Sequence, residues 1–167
     1  ETAEQWLARA EEVADILAAD AVERDRAGQP PHAEVRLLKS AGLVTVLGPQ
    51  AFGGAELPWH VVNRIVRIIA RADGSIAQLL GYHYLWAWAV RLVGTEAQIA
   101  AVEELYTANT LFFGGAVNPR DSDLVITEDG DELVFNGAKS FSTGGRVADL
   151  TVLEGVLQGT DTHVFAI

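Results

Sequence analysis

Apolar residues recur at helical spacing through the first 110 residues of the chain. In the segment TAEQWLARAEEVADILAAD, apolar positions lie on one helix face at steps of four, three and four: Trp6, Ala10, Val13 and Leu17. The segment HAEVRLLKSAG repeats this pattern over a shorter span. The next segment, LVTVLGPQAFGGAELP, is broken by glycine and proline and predicts a loop.

Two strongly apolar helices are predicted next. The first follows Pro58 and covers WHVVNRIVRIIARADG. The second begins at Ser75 with SIAQLLGYHYLWAWAVRLVG, which is apolar almost all round, so we expect a central core helix. Thr95 and Gln98 have the spacing of a capping box and predict the start of a further helix, which runs through Tyr106.

The apolar period changes from 3.6 to 2 near residue 110. Short β-rich segments follow, separated by turn signals: TLFFGGAV, DLVIT, ELVFN, AKSFST, DLTVLEGVL and THVFAI. This spacing is typical of an antiparallel sheet or barrel. We therefore expect an α+β chain with a helical domain at 1–110 and the first part of an antiparallel β-barrel or β-sandwich domain at 111–167. The lack of methionine and the final apolar run lead us to expect a piece of a longer protein.

Composition and charge exclude several classes of function. The net charge of -11 disfavours a nucleic-acid partner, because phosphate binding needs clustered lysine and arginine. No uncharged apolar run is long enough to predict a membrane span. The absence of cysteine excludes disulfides and thiolate metal sites and fits a cytoplasmic protein.

Familiar catalytic and metal-binding motifs are missing from the sequence. The four histidines are scattered, with no pair at the spacing of metal ligands on one helix, so no metal site is predicted. Asp121 and Asp123 flank Ser122 in a polar loop, which we interpret as a solvated turn. A P-loop, a Rossmann glycine pattern and a GxSxG elbow are also absent.

Polar and aromatic groups stand out at two places. Tyr82 and His83 lie in the most apolar helix, where a buried phenol or imidazole needs a hydrogen-bond partner. They are either satisfied core residues or the lining of a pocket that faces the β domain. The second place is AKSFST, where strand alternation predicts Lys139, Phe141 and Thr143 on one face.

A planar heterocycle could bind at the end of that segment. Its ring would stack on Phe141, while a hydroxyl or backbone N–H of Ser142 or Thr143 would bond a ring nitrogen or carbonyl. Gly114 and Gly115 offer a second edge that a ligand could approach closely. The alternative is an ordinary pair of hydroxyl-rich strand ends.

The order of these segments resembles the acyl-CoA dehydrogenase superfamily. A helical region leads through LFFGGAV into a β region that contains NGAKSFSTGG. The blocks ADAVERDRAG, ADGSIAQLLGYH and FNGAKSFSTGG are similar to its flavin-dependent monooxygenase branch, which includes dibenzothiophene monooxygenase and other sulfur-acquisition enzymes. The similarity runs over nearly the whole chain.

This resemblance implies the oxygenase component of a two-component monooxygenase. Reduced FMN from a separate flavin reductase would react with O₂, and the C4a-(hydro)peroxyflavin would oxygenate a small organosulfur or aromatic substrate. A homotetramer and a C-terminal helical bundle absent from this chain are also implied. The flavin would lie between the β domain and the helices.

The resemblance also implies site residues. Thr143 matches a hydroxyl that bonds the flavin, with Phe141 and Ser142 beside it. Tyr82 matches a tyrosine of the active-site pocket and His83 is its neighbour, so these two are the catalytic candidates.

Two positions depart from the pattern of dibenzothiophene monooxygenase. Gly115, a cofactor-binding candidate, falls where that enzyme carries an asparagine, and Gln78 falls where it carries a histidine. Other groups must therefore supply the missing hydrogen bonds and keep the pocket dry. We expect Gln78, Trp86 and Asn118 to line the substrate pocket.

Two other functions stay open at this point. One is an acyl-CoA dehydrogenase that oxidises a thioester with FAD, whose carboxylate base would lie outside this chain. The other is a non-catalytic module that uses the same architecture for assembly.

Overall fold

The computed structural model describes residues 1–121 and 123–167, in which six α-helices precede five strands. The helices are α1 (Ala3–Ala18), α2 (Ala21–Ala27), α3 (His32–Ser40), α4 (Trp59–Ala72), α5 (Gly74–Val93) and α6 (Glu96–Ala108). Short 3₁₀ turns at Leu43–Thr45 and Gln50–Phe52 connect α3 to α4. The strands are β1 (Phe113–Ala116), β2 (Val125–Asp129), β3 (Glu132–Asn136), β4 (Leu150–Leu157) and β5 (His163–Ala166). The predicted order of a helical region and then a β region is confirmed.

Helix α1 packs through the apolar stripe that the sequence predicts. It begins with a capping box, in which the Thr2 hydroxyl accepts from the Gln5 N–H and the Gln5 side chain accepts from the Thr2 N–H. All four stripe residues are buried, and α1 packs against α3 and α4. Burying one leucine of such a stripe stabilises the fold by about 1.5–3 kcal/mol.

Helix α5 is the element on which the two halves of the chain meet. One face is buried, and it consists of Ile76, Ala77, Leu80, His83, Tyr84 and Ala87. This face contacts α4, α6 and β1. The expectation of a core helix is confirmed for this face only, because Leu92 and Val93 near the C-terminus are 67% and 68% exposed. Of the described helices, none has both the length and the hydropathy needed to span a membrane.

Asp73 is the N-cap residue of α5. Its carboxylate accepts from the N–H groups of Ser75 and Ile76, each at 3.0 Å, and pairs with Arg24 at 2.9 Å. Burial alone would raise the pKa of Asp73, but these bonds and the Arg24 charge outweigh it and hold that pKa below its usual value.

We expect Asp73→Ala to lower the free energy of unfolding by about 1–2 kcal/mol, because the helix loses its N-cap. Asp73→Asn keeps an oxygen acceptor for the cap and should lose less. Urea unfolding of both variants measures the difference. Equal losses for the two variants would mean that the charge, and not the cap, supplies the stability.

The sheet is mixed, so the prediction of an antiparallel sheet is wrong for two of the four strand pairings described. β1 and β2 both pair parallel with β4, whereas β2 with β3 and β4 with β5 pair antiparallel. Leu153 of β4 pairs with Ala116 on one side and Ala166 on the other, so β1 and β5 lie on opposite edges of β4. Parallel pairing needs a long connection between strands, and residues 117–149 provide one between β1 and β4.

The segment AKSFST is a loop and not the predicted strand. Its one ladder contact is an isolated bridge between Thr143 and Gly115. Phe141 has a φ of 61°, in the left-handed region, which breaks an extended run. The predicted shared face is therefore wrong: the Lys139 side chain is 3% exposed, whereas Phe141 is 86% exposed.

A small apolar cluster joins the sheet to the helices. It contains Ala87 of α5, Tyr106 of α6, Phe113 of β1 and Val152 of β4, with Trp86 packed against it. This cluster fixes β1 directly beneath the middle of α5, which positions the site described next.

Candidate functional site

The two glycine-containing segments singled out in the sequence meet in the fold. The Gly115 N–H donates to the Thr143 carbonyl at 3.0 Å, which makes the single bridge between β1 and the 142–145 turn. A Cβ at Gly114 would lie 3.0 Å from both the Thr143 carbonyl oxygen and the Ala148 side chain, so the approach depends on glycine. The structure thus brings Gly115 and Thr143 together.

The aromatic face of α5 lies against this bridge. A Cβ at Gly115 would overlap the indole of Trp86, so the Trp86 ring occupies the space of a side chain at position 115. Tyr82 meets Trp86 edge to face with 6.2 Å between ring centroids. The Trp86 Nε1 is buried and has no hydrogen-bond partner among the described residues.

Gln78 belongs to the same helix face. Positions 78, 82 and 86 of α5 are four residues apart, so their side chains follow one another along the helix. Gln78 itself is exposed, while Tyr82 and Trp86 are half-buried. The predicted pocket residues of α5 therefore form one row that ends at β1.

Ser142 lines a cleft, and Phe141 precedes it in the chain. Both are exposed, and the Gly145 N–H donates to the Ser142 carbonyl at 3.2 Å in a tight turn. A cleft of about 270 Å³ opens beside this turn and is lined by residues 28–31, Leu79, Ser142 and residues 144–147. The exposed ring of Phe141 and the hydroxyl of Ser142 are thus available to a ligand.

His83 is placed differently from its neighbour Tyr82. The ring is fully buried, its Nδ1 accepts from the Phe113 N–H at 3.0 Å, and its Nε2 lies 2.7 Å from the Val44 carbonyl oxygen. Because Nδ1 is an acceptor, Nε2 carries the proton and donates. Burial lowers the pKa of His83 to about 4, so the ring is neutral at pH 7. Both nitrogens are used in backbone bonds that link α5, the 43–45 turn and β1.

Asn118 lies in the turn after β1, where its carbonyl oxygen accepts from Lys139 and its side-chain oxygen accepts from the Arg120 N–H. In the turn that the sequence analysis interprets as solvated, Asp123 is exposed, while Asp121 also bonds a neighbouring segment. Asp121 accepts two bonds from Ser140, both at 2.6 Å. Ser122 lies outside the described residues.

A buried ion pair in the β region escaped the sequence analysis. Lys139 bonds Glu154 at 2.6 Å, with side chains only 3% and 2% exposed, and Glu154 also bonds His163. A lone carboxylate within the apolar run DLTVLEGVL is the signal that could have indicated it, because a charge in such a run needs a partner.

Comparison with known proteins decides the family. Residues 1–104 match the family model described as "Acyl-CoA dehydrogenase, N-terminal domain". The chain belongs to the acyl-CoA dehydrogenase family. The alignments with the two relatives described next cover 90% and 91% of this chain, so they extend beyond residue 104 into the sheet.

Several relatives in the acyl-CoA dehydrogenase family are named as monooxygenases. A probable FMNH2-dependent monooxygenase, SfnC of Pseudomonas putida, is 37% identical over 150 residues, which are 90% of this chain and 38% of the relative. Dibenzothiophene monooxygenase of Rhodococcus erythropolis is 38% identical over 162 residues, which are 91% of this chain and 38% of the relative. The chain thus spans about two fifths of the length of these relatives.

Solved structures of monooxygenases share the fold. Methanesulfinate monooxygenase MsuC of Pseudomonas fluorescens superposes with a TM-score of 0.92 and 32% identity, over 96% of this chain and 42% of that one. FMN-bound TdsC of Paenibacillus sp. A11-2 superposes with a TM-score of 0.89 and 29% identity, over 97% and 43%. The expected acyl-CoA dehydrogenase-like fold is confirmed.

Proposed function

We propose that the complete protein is the oxygenase component of a two-component monooxygenase that uses reduced FMN and O₂. The observation that carries this proposal is the meeting of Gly115 and Thr143 at the aromatic row of α5. The names of the relatives support the choice of FMN over FAD and of oxygenation over dehydrogenation.

The residues present fit a flavin ring on two counts. The phenyl ring of Phe141 is 86% exposed and offers a stacking surface. The buried Trp86 N–H, for which the described part of the chain provides no partner, is a hydrogen-bond donor where α5 meets β1. When bound, reduced FMN would supply the electrons that activate O₂ for transfer of one oxygen atom to the substrate.

The residues of this chain take the following roles in the proposal. Thr143 and Ser142 bond the flavin edge and Phe141 stacks on it, while Gly115 holds β1 and the Thr143 backbone together beside that edge. Tyr82 is the catalytic candidate that remains, since its ring packs edge to face on Trp86, which lies against β1. His83 positions β1 through the Phe113 N–H, because both of its nitrogens are already bonded.

The substrate pocket is proposed along α5. Gln78 and Trp86 line it together with Tyr82, and Asn118 closes it from the turn after β1. A small organosulfur compound is the substrate class favoured by the names of the relatives. A flavin reductase as transient partner, a homotetramer and a cytoplasmic location complete the proposal.

Stopped-flow mixing tests the reaction class. The complete protein is loaded with reduced FMN and mixed with oxygenated buffer, and we expect a transient absorbance of an oxygenated flavin before oxidised FMN appears. An acyl-CoA thioester should leave protein-bound oxidised flavin unreduced. Rapid reduction by acyl-CoA would instead establish a dehydrogenase, and failure to bind FMN or FAD would establish a non-catalytic module.

Thr143→Ala should weaken FMN binding about three- to tenfold, because the flavin loses one hydrogen bond. Fluorescence quenching in an FMN titration measures this affinity. Thr143→Ser keeps the hydroxyl and should bind like the wild type. If the alanine variant binds FMN as tightly as the serine variant, the hydroxyl of Thr143 does not contact the cofactor.

A further inference from the structure

Lys139 is the most completely bonded charged side chain of the β region. Its ammonium donates to Glu154 at 2.6 Å, to the Asp121 carbonyl at 2.7 Å and to the Asn118 carbonyl at 2.9 Å. These three bonds use all three N–H groups of the ammonium. Two of the acceptors belong to the turn after β1, which leaves the strand at Ala116.

The same turn also accepts hydrogen bonds through a side chain of its own. The Asp121 carboxylate accepts from both the N–H and the hydroxyl of Ser140 at 2.6 Å. Residues 118–121 and residues 139–140 therefore hold each other through side chains of both segments. We call this pair of segments, together with Glu154, the lysine clamp.

The lysine clamp connects the two segments that carry the proposed flavin site. Phe141, Ser142 and Thr143 follow Ser140 directly, and Gly115 lies three positions before Asn118, the first residue of the clamped turn. The bridge between Gly115 and Thr143 joins the same two parts of the chain at a second point. A shift of the clamp would therefore move both edges of that site relative to each other.

Stability alone does not explain a buried lysine at this position. A buried ion pair contributes little or nothing relative to well-packed apolar residues of similar volume, because both charges lose their hydration. Fixing two backbone carbonyls in one place is something that an apolar pair cannot do. Burial would raise the pKa of Glu154, but the bonds and charges of Lys139 and His163 outweigh it and hold that pKa below its usual value, so the carboxylate stays charged.

We propose that Lys139 and Glu154 are positioning residues that set the geometry of the flavin-binding edge by clamping the turn at 118–121 to the segment at 139–143. This inference rests on the proposed function for the identity of the ligand. The clamp itself is a feature of the described residues and can be measured without a ligand.

Three variants of the complete protein separate positioning from stability. Lys139→Met removes the three lysine bonds of the clamp and leaves His163 as the partner of the Glu154 carboxylate. The double variant Lys139→Met/Glu154→Leu removes the charge as well and restores an apolar interior. Arg91→Met is the matched control, because it breaks the Arg91–Glu103 ion pair between α5 and α6 without touching the clamp.

The measurements are thermal unfolding, the affinity for FMN by fluorescence quenching, and amide hydrogen exchange of residues 117–121 without FMN. We expect Lys139→Met to be less stable and to bind FMN at least about tenfold more weakly. In the double variant we expect thermal stability to return toward the wild-type value while FMN affinity stays weak and exchange at 117–121 stays fast. Arg91→Met should retain wild-type FMN affinity and exchange.

Recovery of FMN affinity together with stability in the double variant would overturn the proposal, because the pair would then be purely structural. Wild-type exchange rates at 117–121 in Lys139→Met would also overturn it. If the wild-type protein binds no FMN, the proposed function fails, and the exchange rates alone then decide whether Lys139 holds the turn.

Discussion

As pH falls from 6.5 to 4, the protein should lose about 3 kcal/mol of folding free energy through His83. Burial lowers the pKa of the folded His83 from 6.5 to about 4. Between these values the unfolded chain binds a proton that the folded chain excludes, so acid favours unfolding. This contribution is complete above pH 6.5, declines as the pH falls, and is gone below pH 4. Urea unfolding at a series of pH values measures the slope.

Two variants isolate His83 from the carboxylates that titrate in the same range. His83→Asn has no titrating group at this position, so its unfolding free energy should depend less steeply on pH between 6.5 and 4. It should also be less stable at pH 8, because the Val44 carbonyl loses its donor. His60→Asn, which changes an exposed histidine of α4, is the control for the substitution itself. An unchanged slope in His83→Asn would mean that the buried ring is not the source of acid sensitivity.

The position of His83 shows what sequence reasoning can and cannot reach. Its apolar surroundings in GYHYLWAW correctly indicate that the imidazole needs partners. Those partners are backbone groups 39 and 30 residues away, at Val44 and Phe113. No local pattern contains that pairing, so the sequence alone left a catalytic role and a structural role open.

Helices were predicted well because their determinants are local. The stripe of α1 and the capping box at Thr95 depend on residues three or four positions apart. The parallel pairing of β1 and β2 with β4 depends on residues tens of positions apart, and turn signals indicate only how sequence neighbours connect. The mixed sheet was therefore out of reach.

The strand prediction for the segment AKSFST is wrong for a related reason. Its alternation of residue types is that of a strand, but the buried acceptors around Lys139 draw this side chain inward. Phe141 then takes a left-handed conformation and turns its ring to solvent. Tertiary hydrogen bonds override the local β preference here, and the same bonds bring Thr143 to Gly115.

Gly115→Ala should destabilise the protein by about 1–3 kcal/mol, because the added methyl group overlaps the Trp86 indole. The double variant Gly115→Ala/Trp86→Leu should recover part of this loss, since the smaller side chain leaves room for the methyl group. Gly74→Ala is the control: it lies at the start of α5, where an added methyl group would have nothing within 4 Å, and should change stability by less than about 0.5 kcal/mol. Urea unfolding of these proteins and of Trp86→Leu alone completes the cycle.

The same cycle reports on the flavin edge when FMN affinity is measured alongside stability. Gly115→Ala should weaken FMN binding, because relief of the overlap moves β1 away from α5 and shifts the bridge to Thr143. In the double variant β1 can return, so recovery of affinity would mean that the backbone position of Gly115, and not the indole, is what the cofactor requires. Persistent weakness would instead assign the requirement to Trp86, whose buried N–H is the one donor at this edge that lacks a partner among the described residues. A Gly115→Ala variant as stable and as tightly binding as Gly74→Ala would contradict the contact between β1 and α5 from which both roles are argued.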